Sequence, residues 1–114
     1  MSFSKSIAKE ALIDISADAS NSKVVNTDGM LLTGIIFPAA MTGSNVTFDY
    51  SLDETAFYDV VETDGTEVTY SVSAGNVVRV DPSGWAFASS GYLRITSDGS
   101  EAADRKITLI FRAS

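Results

Sequence analysis

Between Val46 and Ser51 apolar and polar residues alternate one for one: Val46, Phe48 and Tyr50 against Thr47, Asp49 and Ser51. The same period of two returns in Val68, Tyr70 and Val72 and again in Val78 and Val80. Successive side chains of a strand point to opposite faces, so the pattern describes strands with one face in a core and the other in water. Asp28-Gly29, Pro38, Asp64-Gly65 and Gly75-Asn76 punctuate these runs as turn signals. Helical periodicity is nearly absent; its best candidates are Ser4–Leu12 and a single turn at Ser51–Thr55 or Pro82–Ala88. Few folds accept such a chain. It predicts an all-β, two-sheet antiparallel β-sandwich, wired either as a jelly roll or in the immunoglobulin manner.

About nine short strands are expected. Met30–Phe37 (MLLTGIIF) is a near-continuous apolar run stopped by Pro38, as in a central strand covered on both faces. Glu10–Ser16 alternates weakly, with Leu12 inward and Ile13 or Ile15 beside it. Tyr92–Thr96 and Lys106–Phe111 supply the last two strands, and Arg94, Arg105, Lys106 and Arg112 are expected to point to water. The predicted core is Leu32, Ile36, Phe48, Tyr50, Val78, Leu93, Ile95, Ile107, Leu109 and Phe111. A chain of 114 residues has room for one domain. That domain is expected over residues 11–114, preceded by a short, flexible, Ser-rich arm over residues 1–10.

Charge narrows the function classes. The net charge is −7, and residues 24–78 carry eight acids with no Lys or Arg. A surface that tracks phosphates needs clustered basic residues with aromatics between them, so nucleic acid is not an expected partner. No window approaches the roughly 20 apolar residues of a membrane helix, and the start lacks a signal-peptide run. The chain has no Cys and no His. Disulfides, zinc-finger chemistry and a Ser-His-Asp triad are thereby excluded within it, and no cofactor or catalytic residue is expected.

Seven carboxylates fall between Asp49 and Glu67. Alternation puts Asp49 on the face away from Phe48, and Asp64 belongs to a hairpin turn, so the stretch reads as the wet face of a strand pair. Calcium would want six to eight oxygens, and Asp53, Glu54, Asp59 and Asp64 do not follow the Asp-x-Asp-x-Asp-Gly spacing of a calcium loop. No metal ligand is predicted. Trp85 sits in the loop-like DPSGWAFASSG (Asp81–Gly91), where it either closes one end of the core or presents a ring to a sugar or a partner. Tyr58 lies across its strand from Phe57, so one of the two is exposed.

Two resemblances extend this reading. Phe48-x-Tyr50-Ser51-x-Asp53, Phe57-Tyr58-x-Val60, Val78–Pro82 and Gly91-Tyr92-Leu93-Arg94-Ile95 resemble a compressed discoidin-type jelly roll over Val46–Ile95, without the framing cysteines of that family. This likeness implies a binding module whose loops near Trp85 hold a carbohydrate, or a tail-fibre fragment. The whole-chain layout is similar to the small decoration or cement proteins on the heads of tailed bacteriophages. It is carried by the Ser-rich start, Leu31-Leu32-Thr33-Gly34-Ile35 to Pro38, Phe48-x-x-Ser51-x-Asp53, and the ending Ala103–Arg112. The second likeness implies a virion structural protein, made in the host cytoplasm and placed on the outer capsid surface. There it would bind the major capsid protein, as a monomer or a homotrimer, and stabilise the shell. In that role the arm is the candidate strand-adding contact. Phe3, Ile7, Tyr58 and Trp85 are the candidate partner-binding residues.

Overall fold

The computed structural model describes residues 8–113; Phe3 and Ile7 lie outside the described residues. The strands are β1 (Ala8–Ile15), β2 (Val25–Asn26), β3 (Met30–Ile36), β4 (Asn45–Ser51), β5 (Tyr58–Asp59), β6 (Thr69–Ser71), β7 (Val77–Arg79), β8 (Tyr92–Ser97) and β9 (Arg105–Ala113). One sheet has the order β1-β9-β3-β7, the other β2-β8-β4-β5 with β6 also paired to β4. All pairings are antiparallel. The chain changes sheet at each step from β1 to β4 and from β6 to β9, and β9 returns between β1 and β3. Of the two wirings left open by the sequence, this is the jelly roll. β1 begins at Ala8, so Ala8–Glu10, expected in the arm, pair with Arg112, Phe111 and Ile110.

The core has Phe48, Leu93, Ile95, Ile107, Leu109 and Phe111 fully enclosed, with Leu32 almost so. Elsewhere the expected core needs correction. The inward set of β9 fixes the register of β1: Ile13 lies opposite Ile107 and Ala11 opposite Leu109, which turns Leu12 outward beside Thr108. Leu12 is 69% exposed, while Ile13 and Ile15 are buried. In β3 the pairing slips between Leu32 and Gly34, a bulge that inserts Thr33. The extra residue reverses the alternation, so Ile35 and Phe37 enter the core in place of Ile36. Val78 faces inward from the edge strand β7 and is only half-buried. Tyr50 is also half-buried, its hydroxyl donating to the Ser90 carbonyl.

Arg105 departs from expectation for the same geometric reason. It shares the parity of Ile107, Leu109 and Phe111, so it points inward at the end of β9 and meets Glu101. The Glu101 side chain is fully buried, yet each of its oxygens receives two donors. Oε1 accepts from Thr42 N–H at 2.8 Å and Arg105 Nε at 2.9 Å; Oε2 accepts from Gly43 N–H at 2.9 Å and the Ser97 hydroxyl at 2.7 Å. Its backbone joins the same knot, with N–H to the Ala19 carbonyl and C=O from Asp18 N–H. Through its carboxylate and its backbone, this single residue thus binds the β1–β2, β3–β4 and β8–β9 connections together. Gly43 permits the approach, because a Cβ there would collide with Ser97 Oγ and Asp98 Oδ1.

Burial alone would raise the Glu101 pKa. The donors from Thr42, Ser97, Gly43 and Arg105 outweigh it and hold the group down at about 2. A carboxyl depressed in the folded state stabilises fully above its unfolded pKa and loses that contribution as pH falls towards the folded one. The protein should therefore lose stability between about pH 4.5 and 2. In urea titrations across that range Glu101→Gln should show a flatter pH dependence. At neutral pH it should be less stable by about 3–5 kcal/mol, because Arg105 loses its buried partner. Phe48→Ala should cost about 3–5 kcal/mol in the same assay through lost burial and a cavity.

Candidate functional site: an aromatic trough

The edge of β4 is shared by two short strands laid end to end. Tyr58 and Asp59 of β5 pair with Tyr50 and Asp49, and Thr69–Ser71 of β6 pair with Thr47, Val46 and Asn45. Between them the chain leaves the sheet as a hairpin, held by Val68 N–H to the Val60 carbonyl and closed at Asp64-Gly65. The expected turn at Pro82–Ala88 is a 3-10 helix. Asp81 caps it by accepting from Ser83 N–H, and Pro82, with its fixed φ, starts it. The helix packs beside the hairpin, leaving a cleft of about 350 Å³ between them.

Trp85 forms the base of this cleft and is only 3% exposed. Its ring meets Phe48 edge-on at 4.9 Å, and its Nε1 donates to Tyr70 Oη at 2.9 Å. It closes the core, and the ring is not presented to solvent. Phe87, two residues on, stacks on Trp85 at 5.8 Å and touches Tyr50 at 5.3 Å while staying 53% exposed. A second hollow of about 290 Å³ continues the cleft past Phe87, Val60 and Val61 to Tyr50 and Tyr58. Tyr58 is 63% exposed there. Two candidate contact residues, Tyr58 and Trp85, thus belong to one trough, joined by Phe87. Phe87 was legible in principle: at three residues per turn, Trp85 and Phe87 cannot both face inward.

Carboxylates of Glu62 and Asp81 border the first hollow and Asp59 the second, and among the described residues no basic one lines either. Burial raises the pKa of Tyr70; the Trp85 N–H works against the rise, and the charges of Glu62 and Asp81 add to it. The phenol therefore stays protonated at neutral pH. Chemically the trough offers aromatic and aliphatic contact, the hydroxyls of Thr63, Tyr70, Tyr50 and Tyr58, and carboxylate acceptors. That is equipment for binding.

Three other acids of the stretch have local duties. Asp53 accepts from Thr55 and Ala56 N–H and from the Ser51 hydroxyl, and these bonds lower its pKa. Asp64 is lowered by Thr66 N–H in the hairpin turn. Asp49 is buried on the outer side of its sheet, where Arg94 Nε meets it at 2.8 Å. Arg94 points outward as expected, but its guanidinium also covers the Phe57 ring at 4.2 Å. Among the described residues no three acids converge as metal ligands would.

Comparison with protein-family models, curated proteins and solved structures gives no match.

Tyr70→Phe should leave the buried Trp85 N–H without an acceptor and cost about 1–3 kcal/mol. Chemical denaturation followed by the fluorescence of this single Trp measures both the loss and the altered indole environment.

Proposed function

We propose that the chain is a non-enzymatic assembly module, an accessory structural protein of a tailed-phage virion that docks on the outer face of the head. The particle comes from the resemblance of the whole-chain layout to head decoration proteins. The docking surface is read from the trough, whose exposed Tyr58, Val61 and Phe87 form its outer wall. That exposure is the observation on which the reading rests: large apolar side chains gathered at a hollow mark a binding site more than scattered ones do.

The partner is the major capsid protein, met through an apolar projection flanked by basic groups that answer Glu62, Asp81 and Asp59. The eight acids of residues 24–78, without a basic residue among them, favour such a neighbour. Many copies on a closed shell would add avidity to a contact of ordinary size. Viral capsid and lectin domains both use jelly rolls, so the fold by itself does not choose between them. A glycan-binding module is the second reading, favoured by the exposed rings of Tyr58 and Phe87 beside Asp59 and Glu62. The stacking rings would then be those two, since Trp85 is enclosed.

The test is co-sedimentation of the purified protein with phage heads lacking it, together with mass spectrometry of intact virions. Wild-type protein should co-sediment, and Tyr58→Ala/Phe87→Ala should lower occupancy at least tenfold, as loss of central aromatic anchors does. Absence from virions, with tight binding to a glycan array that the same double variant abolishes, would replace the assembly reading with the second one.

A further inference from the structure

The outer face of the β1-β9-β3-β7 sheet has no covering element among the described residues, and its registers define its rows. Leu12 lies beside Thr108, Thr108 beside Ile36, and Ile36 beside Val77, one row across all four strands. The next row runs Glu10, Ile110, Gly34, Arg79. Leu12 and Val77, at opposite ends of the first row, are 69% and 57% exposed, and Ile36 in that row and Ile110 in the next are half-buried. A patch crossing every strand of a sheet differs from single exposed apolar residues, which need no explanation.

Charge says what covers it. Glu10 and Arg79 close the two ends of the second row, three strand spacings or about 14 Å apart, too far to pair within one molecule. Neither has an ion-pair partner among the described residues. A two-fold axis laid along the strands, between β9 and β3, keeps each row level and reverses its order. It sets Glu10 against Arg79 of the partner subunit and Leu12 against Val77 of the partner subunit, each contact made twice. Aligned sheets pack face to face in this way, with their strands turned by about 30°. Asp14 and Lys106 form the row beyond Leu12 and Thr108, and Arg112 lies in the row beyond Ile110, so a polar rim borders the two rows on both sides.

We propose that this face is an isologous homodimer interface, in which a second copy of the chain covers the Leu12–Val77 row and exchanges two Glu10–Arg79 ion pairs. Four strands at about 4.8 Å and about seven residues at roughly 3.3 Å give a face of order 400 Å² in projection. Two such faces together bury about 800 Å², somewhat more with pleating, which is the size of a weak, reversible contact below the standard range. No residue of the two rows lines the aromatic trough. The dimer would leave both troughs open, and its failure would leave the docking reading untouched.

Sedimentation equilibrium from micromolar to sub-millimolar concentration tests it, with circular dichroism confirming that each variant is folded. Wild type should dimerise reversibly, and Leu12→Lys should weaken the dimer at least tenfold. Glu10→Arg and Arg79→Glu should each be monomeric at concentrations where wild type pairs, since each sets like charges opposite one another. Mixing these two variants should restore a dimer, because every ion pair in the mixed species is again complementary. Rescue on mixing requires contact between chains, which a purely intramolecular effect does not supply. A wild type that stays monomeric throughout, or a dimer indifferent to both charge changes, overturns the proposal.

Discussion

The fold hangs on one buried carboxylate. Glu101 gathers Thr42 N–H, Gly43 N–H, the Ser97 hydroxyl and Arg105 at one point, and its backbone adds Asp18 and Ala19. Three connections that belong to different strand pairs are thereby fixed relative to one another. The clamp matters in this jelly roll because the chain repeatedly crosses between sheets, and three of its connections meet at Glu101. A buried ion is costly to leave unpaired. Here every acceptor position is filled, so the cost falls on conformations that open the knot. The clamp therefore contributes specificity as well as stability.

The aromatic trough follows from an interruption in an otherwise regular edge. β5 and β6 together do the work of one strand along β4, and the hairpin between them projects from the sheet. The 3-10 helix then packs into the space this creates. It sends Trp85 inward to Phe48 and Tyr70 and leaves Phe87 outside. A packed inner layer thus carries an exposed outer layer, so the proposed docking surface is preorganised.

Much of this was readable along the chain where local rules act alone. Phe48, Leu93, Ile95, Ile107, Leu109 and Phe111 are enclosed as alternation predicts. The Asp28-Gly29 turn is present with both residues at positive φ, and Met30 N–H bonds the Thr27 carbonyl. Leu12 and Ile36 were misplaced because hydrophobicity does not fix phase in an apolar run. In β1 the phase comes from pairing with β9, and in β3 from the bulge at Thr33. Arg105 was misplaced because alternation cannot turn both Arg105 and Lys106 outward, and its parity with Ile107 carries it to a buried carboxylate. Nothing in SDGSEAAD (Ser97–Asp104) marks Glu101 for burial: Ser97 and Arg105 are near neighbours, but the two backbone donors that complete the site, Thr42 and Gly43, lie about 60 positions away.

By itself, then, the sequence determined strands, turns and the inward faces of β4, β8 and β9, because those depend on alternation and on backbone preferences spanning a few residues. It also determined the absence of thiol and imidazole chemistry within the chain. The tertiary structure decided which strands meet. Asp28-Gly29 and Gly75-Asn76 read as local turns, yet each passes the chain from one sheet to the other. A turn fixes direction over four residues, whereas sheet membership is settled by which distant edge offers complementary register and side chains. The same distinction separates a list of exposed aromatics from a trough, and a buried Glu from a clamp. Both are products of residues far apart in sequence brought to one place by packing.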